Sequence, residues 1–119
     1  MKLLTATLRQ SLPGPRATEN DADPTVTAKF FDPTGSFTWF VTEAWAHTPE
    51  GEEVALSDPK ANGGEVLFFG LVTSHLCPEG ELGTFALSEL ESVRGALGLG
   101  IERDLYFSPR PLSEVRPRA

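Results

Sequence analysis

The chain has little of what most sequence signatures are built from. One cysteine, Cys77, in 119 residues excludes an intramolecular disulfide and the paired Cys-x-x-Cys spacing of structural zinc sites, so nothing points to an oxidising compartment. Histidine occurs twice, at His47 and His75. His75, Cys77 and Glu79 superficially offer zinc ligands, but His47 and His75 leave opposite ends of a sheet if the strands before them pair antiparallel, so no metal site is expected. Cys77 is followed by Pro78, which removes the helix N-terminus that would activate a thiol. Three lysines and seven scattered arginines supply no dense basic surface, which disfavours direct DNA binding. The longest apolar run, residues 66–72, is far shorter than the roughly 20 residues a membrane span requires. The only glycine-rich run, Gly95-Ala96-Leu97-Gly98-Leu99-Gly100, follows a helical pattern and lacks a Walker lysine, so no phosphate loop is present.

What is present suffices for one domain. Apolar residues are 39% of the chain and include eight Phe and two Trp, enough for a core that needs no metal or cross-link. The formal charge of −7 is uneven. Residues 1–93 carry 5 basic and 14 acidic side chains, net −9, and residues 94–119 carry 5 Arg against Glu102, Asp104 and Glu114, net +2. The N-terminal segment meets Arg9 and Gln10 before a secretory core develops, so the expected address is the cytoplasm.

Leu4, Leu8 and Leu12 form one stripe of a short helix over 4–12, with Thr5 as N-cap and Pro13-Gly14-Pro15 as its stop. Residues 25–45 read as a β-hairpin turning at Asp32-Pro33-Thr34-Gly35, and pairing Asp32 with Ser36 fixes its register. Alternation then places Phe37, Trp39, Val41, Glu43 and Trp45 on one face of the second strand, and it leaves open which face is the core. The polar stretch 46–64 reads as a mobile loop. Residues 65–73 are apolar on both faces and form a central strand, in which Gly70 marks a bulge or a close approach of neighbouring backbone. A strand over 82–87 leads into a helix over 88–97, with Ser88 and Glu91 as a capping box. A last strand over 103–107 buries Leu105 and Phe107. The Pro/Arg tail 108–119 is anchored by Leu112 and Val115. The expected fold is α+β, with a mostly antiparallel sheet of four to five strands and two short helices.

Among candidate chemical groups, Glu43 stands out because it continues an aromatic face; a carboxylate there either pairs, for example with Lys29, or acts as an acid or base. Arg103 can bridge Glu89 or Glu91, and Arg94 lies three residues after Glu91.

The runs Phe68-Phe69-Gly70-Leu71-Val72, Glu81 to Ser92 and Ile101 to Phe107, with the aromatic hairpin Lys29-Phe30-Phe31, Phe37-Thr38-Trp39 and Glu43, resemble the bacterial domain-of-unknown-function family DUF2958 from about Leu3 to Val115. Thr84 stands where the family motif would carry tyrosine. The resemblance implies a small protein of plasmids, conjugative elements and prophages, encoded near antirestriction and DNA-processing functions, and it implies no reaction or catalytic residues.

The resulting expectation is a non-enzymatic interaction module of a mobile element, without cofactor or metal, contacting a host or mobile-element protein. The candidate contact surfaces are Trp39, Glu43 and Trp45, and Glu89, Arg94 and Arg103. The alternatives are a hydrolase that pairs Glu43 with Glu81, Glu102 or Asp104 within ~5–9 Å, and a single-stranded nucleic-acid binder stacking bases on Phe37, Trp39 and Trp45.

Overall fold

The computed structural model describes residues 2–116. In chain order its elements are α1 (Ala6–Ser11), β1 (Thr25–Val26), β2 (Ala28–Phe31), β3 (Thr38–His47), β4 (Glu53–Ala55), β5 (Glu65–Thr73), β6 (Glu81–Ala86), α2 (Leu87–Ser92), β7 (Glu102–Arg103), β8 (Arg110–Pro111) and α3 (Leu112–Val115). Five strands run β6-β5-β3-β2-β7, and β4 joins β3 on the edge it shares with β2, giving six strands paired antiparallel throughout. β1 and β8 form a separate two-stranded ribbon. The α+β class and antiparallel sheet hold, but six strands replace the expected four or five and three short helices the expected two. The extra strand of this sheet, β4, is three residues long and exists by pairing with an edge, so it carries no periodicity of its own.

Two local features decide which side chains share a face. The hairpin register pairs Phe31 with Thr38, not Asp32 with Ser36, because Asp32 spends its carboxylate on the turn, accepting from the Thr34 amide (3.0 Å) and hydroxyl (3.2 Å). A one-residue slip exchanges faces, so Ala28 and Phe30 lie with Val41 and Trp39. Farther along β3, Val41 pairs with Gly70 and Glu43 with Phe69, leaving Thr42 as a bulge whose hydroxyl donates to the Phe69 carbonyl (3.1 Å). The bulge reverses the alternation, so the expected face of Trp39, Val41, Glu43 and Trp45 is split. Trp39 and Val41 face one layer; Glu43 and Trp45 face the other.

The first layer is the main core. Val41, Ala44, Ala46, Phe30, Phe68 and Phe85 are covered by Leu3, Leu4, Leu12, Leu90 and Ile101. Phe68 meets Phe30 edge-on (5.5 Å between centroids) and Phe85 at 5.6 Å; each such buried ring is worth about 1.5–3 kcal/mol. Thr5 caps α1, accepting from the Leu8 amide (3.2 Å). On the second face a smaller cluster of Val26, Leu71 and Leu112 packs with Phe40, Phe107 and Val115 beneath the ribbon and α3.

Between β2 and β4, the edge of β3 has a gap that Pro13 fills, its carbonyl accepting from the Ala44 amide (2.9 Å). The chain thus crosses from α1 on the main core to residues 15–24 on the second face.

Other expectations change in detail. Residues 46–64 contain β4 and a 3₁₀ turn over Pro59–Ala61, with Leu56 and Ala61 buried in the core, so the stretch is not a structureless loop. The helix expected over 88–97 ends at Ser92, and in place of the Ser88–Glu91 box a single side-chain cap forms two residues earlier, Glu89 accepting from the Ala86 amide (3.2 Å). The strand expected over 103–107 stops at Arg103, leaving Leu105 61% exposed. The Asp104 amide still continues the register by donating to the Lys29 carbonyl, and the chain then turns away as the Asp104 carboxylate accepts from the Tyr106 amide.

Candidate functional site

The bulge at Thr42 turns Glu43 and Trp45 toward a cleft of about 540 Å³ on the second face. Its floor is made by Trp45, Phe69 and Leu82 from three adjacent strands. One wall is the segment 15–24 and another includes Leu112 from the C-terminal segment. A cavity of this size is in the range that takes small ligands or anchoring side chains.

Glu43 is 6% exposed and both of its oxygens are occupied. Oε1 accepts from the Arg16 amide (2.8 Å), and Oε2 accepts from the Thr18 amide (3.1 Å) and the Thr18 hydroxyl. Three donors on one carboxylate fasten the 15–24 segment over the sheet, and Arg16, at a positive φ of 61°, adds an ion pair to Glu53 (3.1 Å). Sequence reading missed this because the donors lie 25 and 27 residues away and two are backbone groups. The segment's far end is tied by Asp23, whose two oxygens accept from the Ser113 amide (2.8 Å) and hydroxyl (2.6 Å). The Ser113 hydroxyl, then its backbone N–H, hold the Asp23 carboxyl below its ordinary value of 3.8.

Trp45 is 8% exposed, and its indole Nε1 has no hydrogen-bond acceptor among the described residues. Trp39 lies on the other face, stacked on Phe37 at 5.8 Å. The three aromatics proposed as a base-stacking platform therefore do not share a surface.

The second candidate surface is used by the backbone. Glu89 caps α2, Arg94 donates to the carbonyls of Glu91 (2.8 Å) and Val93 (2.7 Å), and Arg103 donates to those of Lys2 (3.0 Å) and Leu3 (3.5 Å). Arg94 lines one small cleft and Arg103 another.

The paired carboxylates do not meet. Glu81 aligns through Val72 with Trp39, two strands from β3 and four residues from Glu43, which is roughly 15 Å by strand spacing and rise. Glu102 and Asp104 lie at the opposite sheet edge, where Asp104 pairs with Lys29 (3.5 Å). Among the described residues no three His, Cys, Asp or Glu groups are placed to hold a metal ion. His47 pairs with Glu65 at one end of the β3–β5 ladder, and His75 lies at the other. There Ser36 Oγ accepts from the His75 amide (3.1 Å) and lies 2.6 Å from its Nδ1, a clasp between the hairpin turn and the β5–β6 connection.

No helix among the described residues is long and apolar enough to cross a membrane. No curated protein and no solved structure matches the chain. The model of one family, described as a protein of unknown function, does match, over residues 3–117. With that span covering nearly the whole chain and the aromatic hairpin, central strand and acidic helix in place, the protein belongs to the DUF2958 family.

Proposed function

We propose that this protein is a non-enzymatic interaction module of a mobile genetic element, acting on a host defence or DNA-processing protein, with the second-face cleft as its contact surface. One observation carries the reading: the cleft has an apolar floor left open, while the carboxylate best placed for chemistry, Glu43, is engaged in holding the wall. Burial of an apolar floor under a partner is the usual source of association energy, and a polar rim around it gives specificity. The net acidic character of residues 1–93 would favour a partner with a basic surface.

The test is a photo-crosslinking amino acid at Leu82, on the floor, compared with the same residue at Leu97, which is 90% exposed and lines none of the cleft. In host cells, one discrete protein adduct from position 82 and none from 97 is expected. Equal adducts from both positions, or none from 82 with host restriction unaffected by expression, would remove the proposal.

A further inference from the structure

The cleft's own chemistry narrows what it can hold. Four carboxylates and two guanidinium groups line it. Glu43 is committed to the Arg16 and Thr18 amides, and Glu53 to Arg16. Among the described residues Glu19 and Asp21 remain, both exposed and in no ion pair, Asp21 accepting only from the Asp23 amide (3.0 Å) through one oxygen, against one further lining cation, Arg116. The uncommitted charge is therefore negative. Beneath it lies the apolar floor of Trp45, Phe69 and Leu82, the last 47% exposed.

The second observation is independent of charge. A buried N–H without an acceptor costs roughly what its lost hydration is worth, and native structures seldom leave one unpaired without a role. Trp45 Nε1 is such a group, on a residue more than nine-tenths buried in the cleft lining. A ligand that completes the site brings an oxygen acceptor to it. The atom is closed to solvent in the free protein, so the ligand reaches it by displacing part of the wall.

From these features we infer that the cleft takes a short extended segment of a partner protein in which a lysine or arginine neighbours an apolar side chain. The apolar side chain rests on Trp45, Phe69 and Leu82, the cation sits against Glu19 and Asp21, and a main-chain carbonyl accepts from Trp45 Nε1. A peptide provides all three groups within a few residues: its carbonyls recur at every position, and an extended chain sends successive side chains in alternate directions. This assignment rests on the cleft being the partner surface proposed above and specifies what that surface recognises.

The test follows the indole N–H resonance of Trp45 in the ¹⁵N-labelled full chain, assigned by the loss of the other indole signal in Trp39→Phe. The probes are a blocked heptapeptide alternating lysine and leucine, the same peptide with glutamate for lysine, and spermidine. The basic peptide is expected to shift the Trp45 signal downfield and saturably, with affinity falling as salt is raised. In Glu19→Gln/Asp21→Asn its affinity falls roughly threefold to tenfold, the scale of two exposed ion pairs. An unmoved Trp45 signal, equal binding of the acidic peptide, or an identical shift with spermidine would each overturn the inference. A position-82 adduct in cells with no basic-peptide shift removes this inference and leaves the proposed function standing. A peptide shift with no cellular adduct supports the ligand chemistry and removes the host partner.

Discussion

The two faces of the sheet are covered by different means. The main core is sealed by side chains: Leu3, Leu4, Leu12, Leu90 and Ile101 close over Phe30, Phe68 and Phe85. The second face has a small apolar cluster at the ribbon, and its remaining cover is fastened by two carboxylates, Glu43 beneath residues 16–18 and Asp23 beneath Ser113. Apolar burial is non-directional and cooperative, whereas a hydrogen-bonded strap can open with the rest of the fold intact. The first face therefore sets stability, and the second carries the part of the fold that can open on its own.

The comparison can be broken most severely where both faces depend on one backbone contact. A Cβ at Gly70 would collide with the Phe40 carbonyl in the β3–β5 ladder, so Gly70→Ala should cost more than ~4 kcal/mol and leave little cooperative unfolding by circular dichroism. Glu43→Gln should be milder, because an amide retains one acceptor oxygen but turns an NH₂ toward donors. A loss of about 2–3 kcal/mol in a denaturant melt is expected, with faster hydrogen exchange at the Arg16 and Thr18 amides and unchanged protection at Phe68.

Next in size is a pH effect confined to the second face. Because the folded Asp23 pKa is depressed, its contribution is fully present above the ordinary value of 3.8 and is lost as pH falls through the lower folded value. Acid should raise proteolysis of the segment from Arg110 to Arg116 before global unfolding, and Asp23→Asn should show that susceptibility already at neutral pH. The smallest effect sharpens the contrast from the opposite direction. Trp45→Phe removes a large buried surface together with an unpaired N–H, so its stability should stay within ~1 kcal/mol of wild type, well short of an ordinary core truncation. A loss comparable to a Phe68 truncation would mean that the indole N–H is already satisfied.

Where sequence pattern and local chemistry agree, the fold was legible. The central strand 65–73 follows from its apolar run, the hairpin from Asp-Pro-Thr-Gly, and α1 from leucine spacing with a threonine cap. The bulge was not, because Thr42 is an unremarkable strand residue and alternation carries no information about an inserted position. Its only sign lay on the partner strand, at Gly70, where close backbone approach requires the missing side chain. Without the bulge, Glu43 and Trp45 fall on the wrong face and the cleft cannot be assembled from the sequence. The anchoring of Glu43 depends on amides far along the chain, and any residue type presents an amide. Glu89 and Arg94 read from the sequence as parts of a charged contact surface, yet they serve the ends of a six-residue helix, a role that residue type and spacing do not distinguish from such a surface.

The passage of Pro13 and Gly14 through the gap beside β3 laces the molecule like a cord through an eyelet. A Cβ on Gly14 would stand 3.2 Å from that of Ala55, so the eyelet has little slack. Held there by the Ala44 amide as well, the crossing point separates its two ends: the outer flap can lift from the sheet without drawing on the amphipathic turn seated against the opposite side.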